Sequence, residues 1–597
     1  MTRTPLRPLA RILDAREKGE NPDAIERENL RLRHEEMRDR ARRRAEGRLL
    51  VLACFFFCAF AVVGARMGLL AASEPMEPRA AVSSSDIVAQ RADIIDRNGR
   101  LLATNLSTYA LYAQPPLMID KRGAARKLVE IFPDLDEERL VKDFTGDRKF
   151  LWIKKKISPE QRQAVHDIGD PGLLFGPREM RLYPNGKLAA HVLGGASFGR
   201  EGVHSAEVLG VAGVEKAFDD YLRDPANGGA PLQLSLDLTV QSAMREVLYG
   251  GMKLMNAKGA AGILMDVHTG EVVAMASLPD FDPNDRPRPL TQGDASESPL
   301  FNRAVQGVYE LGSTFKIFTT AQAMELGLAG PQTMVDADAP MTWGRFRIKE
   351  YRNKNYGPLL SLTDVIVHSS NVGTAKLALQ IGGKRQQEFL SRFGVFEPTP
   401  IELVEAPGAR PLVPASWSEI VTITASYGHG FSVSPLHLAT AYASLLNGGT
   451  AVKPTILRKD RVEPGERLVS PEVSRASAKM LREVVTRGTA SFGAVPGYNV
   501  GGKTGTANKP RRDGRGYHND KNINTFASVF PSDDPAYVLV VSLDEASDNS
   551  GPEPKRTAGW TAVPVAAEVI RRTAPLLGLR PEIEPVLPSK LTLASDE

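Results

Sequence analysis

Three short motifs place serine, lysine and asparagine side chains at spacings that suit acyl transfer. The motifs are Ser313–Lys316 (STFK), Ser369–Asn371 (SSN) and Lys503–Thr506 (KTGT). A serine hydroxyl is a poor nucleophile unless a neighbouring base removes its proton. Because Lys316 follows Ser313 by three residues, a helix over this segment puts both side chains on one face, one turn apart. The first motif therefore predicts a serine nucleophile with a lysine as its base.

The predicted base needs a special environment. Lys316 accepts a proton only when its amine is uncharged, which requires a pKa well below the usual lysine value of about 10.4. Burial or a nearby positive charge lowers a lysine pKa, and Lys503 could supply such a charge. Ser369 offers a hydroxyl for proton transfer, and Asn371 offers an amide that can orient a substrate. We expect Ser313 at a helix N-terminus, where free backbone N–H groups stabilise negative charge.

The KTGT motif is interpreted as an edge strand with which an extended peptide can pair. Gly505 permits another chain segment to approach this strand closely. We expect the N–H groups of Ser313 and Thr506 to form an oxyanion hole, which stabilises the charge that develops during acyl transfer. The three motifs together predict a site that binds a peptide beside a reactive serine.

Other candidate sites carry less chemistry. His429, in the sequence YGHG, is the nearest histidine that could act as a base, and we interpret it as a loop or core histidine. The Asp and Glu residues show no metal-ligand spacing, so the sequence predicts neither a metal nor a cofactor. The two cysteines, Cys54 and Cys58, lie in one apolar run. This excludes a disulfide framework and a zinc site built from cysteines.

The elements that must position these motifs are predicted from hydrophobic periodicity. Residues 232–238 alternate as a strand, and residues 239–250 have helical spacing that stops at a glycine. Two hairpins are predicted from the strand pairs 261–267 with 271–277 and 525–530 with 536–543. Helices are expected between them, over about 313–485. Because strands lie at both ends of this region, we expect one α/β domain whose terminal strands share a sheet.

An apolar run near the N-terminus predicts a membrane anchor. Residues 49–65 carry no charge and follow a cluster of arginines at positions 42, 43, 44 and 48. With the apolar residues up to 72, the run is long enough for one spanning helix. The positive-inside rule then places residues 1–48 in the cytoplasm. A cleaved signal peptide and a buried core helix are the alternatives, but 48 residues is too long for a signal peptide's charged region.

The excess positive charge lies entirely before this run. Residues 1–48 hold 14 of the 75 Lys and Arg residues and 10 of the 71 Asp and Glu residues, which leaves 61 of each sign after them. A neutral remainder shows no electrostatic footprint for DNA or RNA, so nucleic acid is not expected as a partner. Residues 14–45 mix both signs at helical spacing, which is typical of a solvated helix or a disordered tail.

These features divide the chain into five predicted segments. A Gly, Pro and Asn cluster over residues 224–231 marks the boundary before the motif-bearing region. The segments are a basic cytoplasmic tail (1–48), a transmembrane anchor (49–72), a mixed α+β domain without catalytic motifs (73–230), the motif-bearing domain (231–578) and an irregular C-terminal tail (579–597). We call residues 73–230 the pedestal.

The chain resembles the class B penicillin-binding proteins over most of its length. Its three motifs occur in the order that penicillin-binding proteins and class A β-lactamases share. Residues 91–99 (RADIIDRNG), 181–184 (RLYP) and 210–219 (GVAGVEKAFD) are similar to boxes of that family's N-terminal module. The resemblance implies a transpeptidase domain with an antiparallel sheet flanked by helices, as in serine β-lactamases, carried on a non-catalytic pedestal.

The resemblance also implies D,D-transpeptidation of peptidoglycan. Ser313 would attack the D-Ala–D-Ala bond of a stem peptide, with Lys316 as the base, and β-lactams would acylate the same serine. Ser369 and Asn371 would relay protons and contact the substrate. The groups that the family uses for substrate binding, carboxylate binding or the oxyanion are Lys503, Ser370, Thr504, Gly505 and Thr506.

Softer features favour the septal branch of the family. KTGTANK followed by RRDGRGY is similar to the cell-division enzymes, although Asn508 replaces a basic residue that is frequent there, and Leu311 stands where many relatives have proline. The elongation-specific branch is the alternative. From other classes, a soluble β-lactamase, an antibiotic sensor or a non-catalytic division scaffold would share the fold. Implied partners are the inner membrane, a membrane-embedded lipid-II glycosyltransferase and small division proteins.

Overall fold

The computed structural model of the chain describes residues 7–72, 91–201, 206–463, 465–511 and 516–582. Two compact units are present, residues 1–86 and 87–597. The first residues of the predicted pedestal and most of the predicted C-terminal tail lie outside the described residues.

The first unit consists of two helices, α1 (Arg7–Glu17) and α2 (Pro22–Ala72). The charged part of α2 is exposed and carries ion pairs one turn apart, such as Arg31 with Glu35, so the solvated-helix alternative is correct for this part. Within residues 23–67, the most apolar 18-residue stretch has a mean hydropathy of 2.4 and none of it is buried. By length and composition, this stretch suits a membrane-spanning helix.

The second unit contains the remaining helices and strands. The helices are α3 (Lys121–Ile131), α4 (Glu137–Thr145), α5 (Pro159–His166), α6 (Ala190–Leu193), α7 (Gly213–Ala217), α8 (Asp219–Arg223), α9 (Leu238–Leu254), α10 (Lys316–Glu325), α11 (Leu362–Val367), α12 (Asn371–Ile381), α13 (Gly383–Arg392), α14 (Glu419–Ala425), α15 (Pro435–Leu446), α16 (Pro471–Arg487) and α17 (Ala562–Thr573). The strands are β1 (Ile94–Ile95), β2 (Leu101–Ala113), β3 (Leu151–Ile157), β4 (Leu173–Leu182), β5 (Gly195–Glu201), β6 (Ala206–Ala212), β7 (Leu232–Gln233), β8 (Gly259–Asp266), β9 (Val272–Leu278), β10 (Met334–Asp336), β11 (Met341–Trp343), β12 (Phe346–Ile348), β13 (Leu359–Ser361), β14 (Gly501–Pro510), β15 (Tyr517–Phe530) and β16 (Tyr537–Asp544).

A five-stranded antiparallel sheet in the order β14-β15-β16-β8-β9 organises the motif-bearing half. It joins the two predicted hairpins, because β16 pairs with β8 from Tyr537↔Asp266 to Asp544↔Gly259. Every residue of β9 and all but one of β8 are buried, so helices cover both faces of this part of the sheet. The shared sheet and both hairpins are confirmed, as is the edge position of the KTGT strand in β14.

Two predicted element boundaries are wrong. The strand predicted over residues 232–238 is only β7, because Asp237 leaves the strand to cap α9, accepting hydrogen bonds from the N–H groups of Thr239 (2.9 Å) and Val240 (3.2 Å). The helix does not stop at Gly250 but continues to Leu254. Gly251 is needed for packing, since a Cβ there would lie 2.6 Å from Val565 of α17.

The pedestal is joined to the sheet domain by backbone pairing and a shared core. Strand β1 pairs with β2 in antiparallel orientation and with β7 in parallel orientation. Ile94 and Leu102 belong to the same buried cluster as Leu264 of β8. The buried carboxylate of Asp96 accepts a 3.1 Å hydrogen bond from the N–H of Leu238, so the 91–99 box holds the start of α9.

A buried ion network joins three segments of the pedestal. Glu215 is fully buried and pairs with Arg91 at 2.7 Å and Arg181 at 2.6 Å, while the hydroxyl of Tyr183 donates to it at 3.2 Å. Arg91 also pairs with Asp219 at 2.8 Å. These residues come from the three sequence boxes, so the boxes encode a structural network.

Candidate active site

Ser313 lies in a tight turn, Gly312–Phe315, that runs directly into α10. Gly312 adopts a left-handed φ of +58°, and its N–H donates a 3.1 Å hydrogen bond to the carbonyl of Gly428. A Cβ on Gly428 would lie 2.0 Å from the Gly312 carbonyl oxygen, so that contact requires a glycine. The turn therefore fixes Ser313 at the N-terminus of a helix, as predicted, although the first turn is a 3-10 helix.

Lys316 is the first residue of α10 and its side chain is fully buried. Its Nζ donates to Asn371 Oδ1 at 2.7 Å and to Ser369 Oγ at 3.1 Å, and it also contacts the carbonyl of Ser369. Burial lowers the pKa of Lys316 to about 7, against an opposing effect of the nearby Glu350 carboxylate. A substantial fraction of this lysine is therefore uncharged at neutral pH.

Lys503, in the KTGT motif, contacts the same Ser369 hydroxyl. Its side chain is fully buried, and its Nζ lies 2.9 Å from Ser369 Oγ and 3.2 Å from the Thr504 carbonyl. Burial, and then the charge of Lys316, hold the pKa of Lys503 well below its usual value. Of the two causes that the sequence left open for Lys316, burial is the one the structure supports, and the charge of Lys503 is not among the causes of its lowered pKa.

The SSN motif is held by a carboxylate that the sequence analysis missed. Glu350 is 4% exposed and accepts hydrogen bonds from Ser370 Oγ at 2.7 Å, Asn371 N at 2.8 Å and Val372 N at 3.1 Å. Ser370 itself caps α12 through the N–H of Gly373. Glu350 thus clamps the turn that presents Ser369 to the two lysines.

This clamp corrects one predicted site residue. Ser370 was expected to contact substrate, but it is fully buried and its hydroxyl points to Glu350. Ser369 is the residue that faces the reactive groups, and it does so with a left-handed φ of +60°. Such a conformation is costly for a residue other than glycine and persists only where the surroundings enforce it. The clamp and the lysines supply that enforcement.

The KTGT strand lies against the turn that carries the nucleophile. A Cβ on Gly505 would lie 2.2 Å from the carbonyl oxygen of Leu311, so only glycine permits this approach. A Cβ on Gly312 would be 3.5 Å from the backbone nitrogen of Thr506, which places that strand residue beside Ser313. Thr504 Oγ1 is 2.9 Å from Thr489 Oγ1, which orients its side chain. The three motifs meet at one place.

A cavity of about 800 Å³ opens over these residues. Of the predicted site residues, it is lined by Ser313, Ser369, Asn371, Thr504 and Thr506. Lys316 and Lys503 lie beneath its floor, where they contact Ser369. His429 also lines the cavity, from the loop between α14 and α15, and its ring is 5.5 Å from that of Tyr427. Burial lowers the pKa of His429, against an opposing effect of the Glu310 carboxylate.

Comparison with protein families agrees with this geometry. A family model of the penicillin-binding protein transpeptidase domain matches residues 260–570, and a model of the penicillin-binding protein dimerisation domain matches residues 86–229. The chain belongs to the class B penicillin-binding proteins. Its activity is that of this family, peptidoglycan D,D-transpeptidation by a serine acyltransferase, as the resemblance predicted.

Several curated relatives of this penicillin-binding protein match nearly end to end. A probable peptidoglycan D,D-transpeptidase FtsI of Caulobacter vibrioides is 37% identical over 93% of each chain. The peptidoglycan D,D-transpeptidase FtsI of Escherichia coli K12 is 28% identical over 83% of this chain and 85% of its own. Stage V sporulation protein D of Bacillus subtilis is 28% identical over 89% of this chain and 86% of its own.

A solved structure has the same fold. Penicillin-binding protein 3 of Mycobacterium tuberculosis, in complex with aztreonam, superposes with a TM-score of 0.62 and 24% identity. The superposed region covers 83% of this chain and 98% of the solved chain. The predicted architecture of a pedestal followed by a penicillin-binding domain is therefore confirmed.

Proposed function

We propose that this penicillin-binding protein cross-links stem peptides during septal cell-wall synthesis, with Ser313 as the nucleophile. The observation that carries the proposal is the position of Ser369 Oγ, which lies between the buried amines of Lys316 and Lys503 beside the nucleophile turn. A non-catalytic scaffold has no need to bury two lysines at this cost. The septal role is supported by the FtsI relatives, of which one is 37% identical.

In the acylation step, the uncharged amine of Lys316 accepts the proton of Ser313. Ser313 Oγ then attacks the carbonyl of the penultimate D-Ala, and the N–H groups of Ser313 and Thr506 stabilise the resulting oxyanion. Collapse of the tetrahedral intermediate breaks the peptide bond, and the leaving D-Ala amine takes a proton by way of Ser369. An amine of a second stem peptide repeats these steps in reverse and forms the cross-link.

The peptide substrate is positioned by the walls of the cavity. Its extended backbone pairs with β14 at the sheet edge, and its terminal carboxylate lies at Thr504 and Thr506. Asn371 Oδ1 holds Lys316, and its amide lines the cavity beside the substrate. Lys503 holds Ser369 and polarises the carboxylate site from beneath it. In this role Lys503 does not contact the substrate directly.

The cellular arrangement follows from the anchor. The arginine cluster before residue 49 supports a cytoplasmic N-terminus and a periplasmic catalytic domain on a single span of the inner membrane. Association with a membrane-embedded lipid-II glycosyltransferase and with small division proteins is part of the same proposal. The location of the protein is tested with a fluorescent fusion in dividing cells. A lateral-wall pattern would favour the elongation-specific alternative.

The chemistry is tested by labelling with fluorescent penicillin. The full-length protein in detergent should form one covalent adduct, which mass spectrometry of the digested protein should place on Ser313. Ser313→Ala should abolish labelling, while Ser491→Ala, a control at another serine of the same cavity, should preserve it. An adduct at another residue contradicts the nucleophile assignment, and rapid release of hydrolysed drug would favour a β-lactamase.

A further inference from the structure

One wall of the active-site cavity concentrates positive charge. The segment 345–354 (RFRIKEYRNK) includes β12 and carries five cationic side chains and one acid. Of the five, Arg347, Lys349 and Lys354 are exposed and line the cavity that contains Ser313. We call these three residues the basic wall.

The charge of the basic wall is not neutralised within the described part of the chain. No salt bridge there involves any of its three residues, whereas other surface cations have partners, such as Arg487 with Asp364 at 2.7 Å. Glu350, the acid of the same segment, points inward to Ser370. None of the described residues that line the cavity is Asp or Glu. The carboxylate of Glu310 lies behind the cavity lining on the side of Tyr517, whose hydroxyl donates to it at 2.9 Å, so a ligand on the side of the basic wall meets positive charge.

The backbone of the basic wall is tied to the catalytic motif. Ile348, between two of its residues, is 7% exposed and packs in a small core with Val372 of α12. The carbonyl of Lys349 accepts a 2.8 Å hydrogen bond from Asn371 Nδ2. The wall is thus held at a fixed position relative to the reactive serine, which is what a specificity site requires.

We propose that the basic wall binds an internal carboxylate of the peptide substrate and makes the enzyme select peptides in which that carboxylate is free rather than amidated. This inference rests on the proposed function, since it assumes a peptide in the cavity. In the proposed function the terminal carboxylate of the peptide binds at β14, which carries the KTGT motif. The basic wall is therefore available for a second anionic group. Cations lining a cavity raise the local concentration of anionic ligands and the rate at which they associate.

The test compares two synthetic pentapeptides that end in D-Ala–D-Ala and differ only in an internal glutamate, present as the free acid or as the amide. Each peptide competes with fluorescent penicillin for the full-length protein, and the readout is the ratio of the two inhibition constants. We expect the free acid to inhibit about five-fold better at low salt, and this ratio to fall as salt rises.

Variants of the basic wall test whether its three residues cause the selectivity between the two peptides. In the combined variant Arg347→Gln, Lys349→Gln, Lys354→Gln the ratio should fall to about one, and Lys354→Gln alone should lose part of it. A control variant with three exposed cations changed elsewhere, Lys384→Gln, Arg475→Gln, Lys479→Gln, should keep the ratio. Each variant's penicillin labelling without peptide shows that it is folded.

The outcomes separate this proposal from the proposed function. Absence of penicillin labelling in the unaltered protein contradicts the proposed function, whereas labelling with equal inhibition by both peptides contradicts the basic wall alone. An unchanged ratio in the combined variant also overturns it. A phosphate ligand is tested with inorganic pyrophosphate at matched ionic strength. If pyrophosphate displaces both peptides equally well, and the free-acid peptide has no advantage over the amide, the basic wall is a phosphate site.

Discussion

Lys316 Nζ and Lys503 Nζ lie on either side of one atom, Ser369 Oγ, at 3.1 and 2.9 Å. When both amines donate to it, they occupy both lone pairs of the oxygen, and the hydroxyl proton is left for a group in the cavity. Two buried amines this close cannot both carry a charge without a large penalty. The arrangement therefore favours proton exchange among the lysines, Ser369 and a leaving group.

The rate of acylation should depend on the charge of Lys316. Because burial lowers its pKa to about 7, the amine is protonated and inactive as a base below this pH and becomes active as the pH rises through it. The second-order rate constant for penicillin labelling should therefore rise with pH along a limb centred near pH 7. Lys316→Ala should lose the limb and slow acylation by roughly 10²- to 10⁴-fold. Persistence of the limb in that variant would exclude Lys316 as the base.

Glu350→Gln should shift this pH limb to lower pH. The Glu350 carboxylate opposes the fall in the pKa of Lys316, so loss of its charge lowers that pKa further. The variant should also be destabilised by about 1–3 kcal/mol, because an amide cannot accept all of the hydrogen bonds from Ser370, Asn371 and Val372. The pH profile of labelling and thermal unfolding measure the two effects.

A matched control for that variant is Glu402→Gln. Glu402 accepts hydrogen bonds from Thr455 Oγ1 at 2.8 Å and Ile456 N at 3.0 Å, so it resembles Glu350 in its bonding. It is not among the groups that influence the Lys316 pKa. The control should lose stability and keep the limb in place; an equal shift in both variants would show that the effect is structural.

Gly505→Ala should separate the KTGT strand from the nucleophile turn. The new Cβ would lie 2.2 Å from the Leu311 carbonyl oxygen, and backbone at that distance has to move. We expect a loss of about 1–3 kcal/mol in the free energy of unfolding and a large fall in the acylation rate. Gly250→Ala in α9 is the control, since its Cβ meets open space and should be neutral or stabilising. Normal acylation by Gly505→Ala would contradict the close approach.

Glu215→Gln should be among the most destabilising single changes in the pedestal. Its carboxylate compensates Arg91 and Arg181 in a fully buried position, and loss of one partner leaves uncompensated charge there. The expected loss is about 3–5 kcal/mol, measured by denaturant unfolding. Glu466→Gln, which breaks an exposed 2.8 Å pair with Arg392, should cost less than about 1 kcal/mol. Similar losses in the two variants would refute a special role for the buried network.

Much of the fold and site was predictable because the signals are local. The STFK and KTGT motifs and the two hairpins are encoded within a few residues each, and the structure places them where the sequence indicates. The ends of elements were less predictable. Asp237 ends the strand by capping α9 through N–H groups only two and three residues away, so this local signal competes with the alternating strand pattern. The continuation of α9 past Gly250 has no such local signal, and Gly251 there leaves room for Val565 of α17, which is a tertiary contact.

The clamp at Glu350 had no local signal. In the sequence it is one acid among five cations, and its role depends on meeting Ser370, 20 residues away. The inward position of Ser370 depends on the same contact, so neither could be derived from spacing. The placement of His429 at the cavity wall likewise depends on a distant contact, since the neighbouring Gly428 accepts a hydrogen bond from the N–H of Gly312.

The pedestal and the sheet domain share one core, which limits how the protein can be truncated for experiments. Ile94, Leu102 and Leu222 belong to the same buried cluster as Leu234 and Val240, and β7 has β1 as its neighbour. A recombinant truncation that begins at residue 231 would expose this apolar surface to water and aggregate. Soluble material for inhibitor screening therefore has to retain the chain from about residue 91 onward.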